Sequence, residues 1–129
     1  MTDPVEFLEL DDVIELTRRL LGSPPPIRDV GLLASAVARP QTTIGGDDAY
    51  PTIWTKAAAL LQSIVNNHAL IDGNKRLGWL ATAVFLGINN ASVAAATNDA
   101  VYDLVMAVAT SECDVHQIAS RLQQLPQRP

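Results

Sequence analysis

Residues 51–90 read PTIWTKAAALLQSIVNN (51–67), then HALIDG (68–73), then NKRLGWLATAVFLGINN (74–90). The first and third pieces are long, nearly continuous apolar runs, the pattern of helices buried on most sides. Pro51 suits the first turn of the first helix. The middle piece breaks the pattern, and the break is where the chemistry gathers. His68, Asp72, Asn74, Lys75 and Arg76 fall within nine residues of a chain otherwise dominated by alanine, leucine and valine.

Working outward, the other segments also read as helices. LDDVIELTRRLLG (10–22) has apolar residues at helical spacing, a capping carboxylate at Asp11 or Asp12, and Gly22 as a stop. The prolines of SPPP (23–26) make a stiff connector. RDVGLLASAVARP (28–40) predicts a short helix from about Asp29, ended by Pro40. QTTIGGDDAY (41–50) is the least regular stretch, with Thr42, Thr43 and Ile44 suggesting a brief strand or flap. Thr97 and Asp114 are plausible caps for two final helices, and the tail 126–129 is expected to fray. The fold class is therefore all-α, with about six helices in a single domain spanning 1–129.

Composition narrows the function. The 129 residues are 48% hydrophobic and carry a formal charge of −5, with a pI of about 4.7. An acidic chain of this kind argues against direct nucleic-acid binding through a basic face. Cys113 is the only cysteine, so no intrachain disulfide forms, and two distant histidines do not suggest a structural zinc site. No apolar stretch reaches the length of a membrane span and residues 1–20 lack a signal-peptide pattern, so a cytoplasmic protein without membrane or nucleic-acid partners is expected.

Within HALIDGNKR, Gly73 is free to take a left-handed conformation, and a helix starting near Asn74 exposes its first N–H groups. Lys75 and Arg76 there oppose the helix dipole by about 0.3–1 kcal/mol each. The arrangement makes sense if an anion binds, and phosphate is the obvious candidate. Asp72 fits a Mg²⁺ ligand whose remaining ligands are phosphate oxygens and water, and equally fits a helix cap. A histidine titrates near cellular pH, so His68 could take a proton from an attacking hydroxyl, although a lone histidine is often structural. His116 and Arg121 read as the wet face of the last helix, and Trp54 and Trp79 as core or pocket walls.

The nine residues resemble the signature of the Fic/Doc superfamily, H-x-F-x-(D/E)-G-N-G-R-x-x-R. His68, Asp72, Gly73, Asn74 and Arg76 match it; Leu70 replaces the phenylalanine, Lys75 the second glycine and Trp79 the second arginine. The last two departures mark the death-on-curing (Doc) branch, and the likeness extends over roughly 28–90. The resemblance implies a compact Fic/Doc-type bundle with a short flap. It implies a toxin that transfers the γ-phosphate of ATP to a Ser/Thr hydroxyl of a translation factor, elongation factor Tu, and so blocks translation. In that scheme His68 is the base and Asp72 the Mg²⁺ ligand. Gly73, Asn74, Lys75 and Arg76 hold the nucleotide phosphates, and the flap at 41–50 aligns the target. Thr2 to Glu6 has the spacing of the family's inhibitory helix but is followed by Phe7, so inhibition would fall to a separate antitoxin. The alternatives are a Fic-type AMP transferase and an inactive antitoxin-binding module.

Overall fold

A computed structural model describes residues 4–126. Thr2, at the head of the Thr2–Glu6 spacing, and residues 127–129 of the tail lie outside them. The described chain forms six α-helices: α1 (Leu10–Leu21), α2 (Val30–Ala38), α3 (Ile53–Asn67), α4 (Asn74–Ile88), α5 (Asn98–Ala109) and α6 (Val115–Gln124). A 3-10 turn at Arg39–Gln41 and a two-stranded hairpin, β1 (Thr43–Ile44) with β2 (Asp47–Asp48), join α2 to α3. The all-α expectation holds.

Local chemistry sets most helix starts. Asp29, Thr52, Thr97 and Asp114 each accept a hydrogen bond from the backbone N–H three residues ahead. Two expectations shift. The cap of α1 is Glu9, and Asp12 sits at the third helical position, where its carboxylate accepts the Glu9 N–H at 2.9 Å; the box is reciprocal, so the helix starts earlier than a lone aspartate cap predicts. Pro51 precedes the cap Thr52 rather than entering α3, because Thr52 and Thr55 close a box of their own.

Helix α3 is central: α4 and α6 pack on it most extensively, and α2 and α5 also touch it. Ala57, Ala58, Ala59, Leu60, Leu61 and Ile64 on α3 are fully buried, with Leu77, Ala81, Phe85 and Leu86 of α4 and Ile118 and Leu122 of α6. Small residues let α3 and α4 approach closely. A Cβ on Gly78 would lie 2.7 Å from Val65 Cγ2, whereas one on Gly87 of the same helix meets nothing within 4 Å.

That difference is testable. Gly78→Ala should destabilise by about 1–2 kcal/mol, since overpacking against a stiff, buried valine outweighs the ~1 kcal/mol propensity gain of alanine. Gly87→Ala should be neutral or stabilising by up to ~1 kcal/mol. Urea midpoints of both variants check this; equal shifts in the two would show that close packing at residue 78 does not limit the interface.

Candidate phosphate site at the α3–α4 turn

His68 ends α3 in the left-handed region (φ 55°, ψ 43°), and Gly73 precedes α4 with φ 87°. Two left-handed residues turn the chain back on itself between the two most buried helices. Histidine is among the few side chains found with any frequency in that region. At Gly73 even the space is closed, for a Cβ would lie 2.6 Å from Leu21 Cδ1 of α1.

The loop between them is pinned from two sides. The connector before α2 pairs with it: Arg28 N and Asp29 N donate to the Ala69 carbonyl (2.8 and 3.0 Å), and Ile71 N donates to the Pro26 carbonyl (2.9 Å). The exposed guanidinium of Arg28 donates to the His68 carbonyl, neutralising a carbonyl freed at the C-terminus of α3. From inside, the Asn74 side chain accepts from Leu70 N at 3.0 Å and donates to the Leu70 carbonyl at 3.1 Å. Leu70 itself is buried at 2% exposure.

The N-terminus of α4 differs from those of the other helices. Gly73 offers no side chain, and no side chain caps the helix. The Leu77 N–H is the first to find an intrahelical carbonyl, that of Gly73, at 2.9 Å. The backbone N–H groups of Asn74, Lys75 and Arg76 are left free to meet a ligand. Asp72, expected as a possible cap, does not serve as one: its Oδ1 accepts the Gly73 N–H at 2.9 Å, outside the helix. Lys75 and Arg76 are exposed and have no ion-pair partner among the described residues.

All six candidate residues line one cavity of about 360 Å³: His68, Asp72, Gly73, Asn74, Lys75 and Arg76, with Val65, Asn66, Ile71 and Ala109 as further wall. His68 is exposed there, and its imidazole makes no hydrogen bond to another described residue. Lys75 and Arg76 also border a second, larger groove of about 680 Å³, walled chiefly by apolar side chains including Leu20, Trp79, Val101 and Met106. Trp79 is therefore a pocket wall, and Trp54 packs half-buried on the core. His116 is exposed as expected, whereas Arg121 is half-buried and donates to Cys113 Sγ at 3.6 Å, a contact eight residues back across the turn before α6 that a face-by-face reading of the helix overlooks.

The model of the Fic/DOC family matches residues 7–86. The chain is also 50% identical, over 118 residues and 91% of each sequence, to "Toxin Doc" of Mycolicibacterium smegmatis (strain ATCC 700084 / mc(2)155). The chain belongs to the Fic/Doc family. Against the Fic/Doc pattern, Leu70 fills the phenylalanine position as a buried anchor, and Trp79, at the distal arginine position, faces the apolar groove.

Several residues around this Fic/Doc site escape sequence reading. Arg28 comes to it from 40 residues away through backbone pairing that no periodicity signals. Arg39, Asp48, Tyr50 and Lys56 tie the hairpin to α3. Of these, only Lys56 leaves a local trace, as a lone cation in an otherwise apolar run. Among the described residues no helix is long and apolar enough to cross a membrane, and no three His, Cys, Asp or Glu side chains cluster as a metal centre.

Proposed function

We propose that this protein is the toxin of a toxin–antitoxin module and a protein Ser/Thr kinase of Fic/Doc type. It transfers the γ-phosphate of ATP to a hydroxyl of a translation factor, elongation factor Tu, and thereby blocks translation in the cytoplasm. The observation that carries the reading is the uncapped start of α4. The residues lining one small cavity carry three backbone N–H groups and two cations without a partner among the described residues, a carboxylate and an imidazole.

In this reading the target hydroxyl gives its proton to His68 as its oxygen bonds to the γ-phosphorus. The bond from that phosphorus to the β–γ bridging oxygen breaks, and ADP leaves. The N–H groups of Asn74, Lys75 and Arg76, with the Lys75 and Arg76 side chains, hold the phosphates. The Asn74 side chain is committed to Leu70, so its contribution to the nucleotide is its backbone N–H, and its amide serves to keep the loop shaped. Asp72 fits Mg²⁺: it is exposed, and only one of its oxygens is engaged by the protein. The ion, when bound, neutralises charge on the transferring phosphates. The cognate antitoxin is the expected neutralising partner, consistent with the relative named Toxin Doc.

The test is incubation with elongation factor Tu and ATP–Mg²⁺ carrying label at the γ- or the α-phosphate. Label from the γ position on a Ser/Thr supports the reading; label from the α position replaces it with AMP transfer; none from either removes this substrate. Lys75 should decide between the two chemistries. Its ammonium stands where the pattern has glycine, and Trp79 removes the cation that would fix the far end of ATP. Lys75→Gly should lower γ-transfer by about 10–100-fold, the value of one lost charge-assisted contact. Adding Trp79→Arg should expose weak AMP transfer, read as the mass added to elongation factor Tu. A Lys75→Gly variant with unchanged γ-transfer would remove Lys75 from phosphate binding.

A further inference from the structure

The hairpin is too small to hold itself in place. Each strand has two residues, all four are exposed, and Ile44 is 72% exposed. Its Gly45–Gly46 loop, with both φ values positive (61° and 89°), suits a tight two-residue turn. A ribbon this short is marginal in isolation. Its orientation must come from its root.

Two cations anchor that root. Lys56 lies on α3 at 3% exposure, and its ammonium donates to Asp48 Oδ2 of β2 at 3.0 Å and to the Tyr50 carbonyl. Arg39, in the 3-10 turn that leads into the hairpin, donates from Nε to Tyr50 Oη at 2.9 Å. From Nη1 it donates to Gln62 Oε1 at 2.8 Å and Ser63 Oγ at 2.9 Å. Its guanidinium also stacks 5.3 Å from the Tyr50 ring centroid. Entry and exit of the hairpin are thereby fixed to α3 through Lys56, Gln62 and Ser63. A polar notch lined by Arg39, Thr42, Ser63 and Asn67 joins the hairpin root to the residue before His68.

An apolar side chain at 56 would pack in α3 without the desolvation cost of a buried ammonium. No hairpin residue lines the cavity that holds His68 and the start of α4. We infer that Lys56 is a positioning residue: its ion pair with Asp48 fixes the hairpin beside the end of α3 and so governs binding of the protein substrate, not of ATP. The part concerning substrate rests on the proposed function; the part concerning the hairpin does not.

The experiment compares Lys56→Met, Asp48→Ala and Asp48→Glu with the unaltered protein. The first readout is hydrogen exchange of the Ala49 amide, which donates to the Thr42 carbonyl at 2.9 Å. It should exchange at least about 10-fold faster in Lys56→Met and Asp48→Ala, with α3 and α4 amides unchanged, and Asp48→Glu should restore protection. The second readout is γ-phosphate transfer to elongation factor Tu. KM for the protein substrate should rise about 10-fold or more, with kcat and the KM for ATP within about twofold. Unchanged exchange at Ala49 overturns the inference, as does loss of protection throughout α3 and α4. A fall in kcat with unchanged KM for elongation factor Tu also overturns it. If Lys56→Met does not fold, Asp48→Ala carries the test, because that carboxylate is 58% exposed. Should the unaltered protein transfer nothing to elongation factor Tu, the proposed substrate fails, and exchange alone decides whether Lys56 sets the hairpin.

Discussion

Cells expressing the His68→Ala protein without an antitoxin should keep growing, while cells expressing the unaltered protein should arrest if the proposed function holds. The size of the expected effect follows from the site: His68 is the only imidazole in the cavity, and the other histidine, His116, is on the outer face of α6. Loss of general-base assistance costs about 10²–10⁴-fold in rate. The side chain is exposed and makes no hydrogen bond to another described residue, so its removal should leave the fold unchanged; the left-handed backbone at 68, where histidine is several-fold enriched, should make alanine cost up to about 1 kcal/mol. Growth curves with matched expression levels, alongside far-UV circular dichroism, check both halves. Folded His68→Ala protein that still arrests growth would falsify the assignment of the base.

The second large effect is expected at Asp72. Asp72→Ala should abolish Mg²⁺-dependent transfer while changing stability by less than about 1 kcal/mol. A capping aspartate would cost about 0.5–2 kcal/mol, but Asp72 is not the cap; it bonds only the Gly73 N–H from an exposed position, and such a bond contributes little. Transfer rates across a Mg²⁺ titration, paired with a urea midpoint, separate the roles. Normal rates at normal Mg²⁺ would show that the carboxylate serves only the turn.

How much of this was legible in the sequence depends on how local each interaction is. The break at 68–73 was readable because two apolar runs frame it, and the left-handed Gly73 and start of α4 at Asn74 follow from neighbouring residues. Thr97 and Asp114 cap as expected for the same reason, being three residues from their partners. Side-chain direction was not readable. Asn74 sits in the motif but turns back to Leu70, a choice made by the loop's unpaired backbone groups. The anchors of the hairpin were hidden too, because Arg39 meets Gln62 and Ser63 across more than twenty residues. An irregular, glycine-containing stretch announces a flap; what braces it comes from another element.

Lys75 and Arg76 wall both the phosphate cavity and the apolar groove beside it. The two spaces therefore share a pair of charges. Whatever seats itself in the groove and draws on those side chains changes how strongly an anion is held at the helix start. Thermodynamic linkage makes the effect reciprocal, so the anion changes the groove occupant's affinity by the same factor. If the proposed nucleotide is that anion, its concentration becomes a variable in any equilibrium at the groove, with no movement of the backbone needed to couple them.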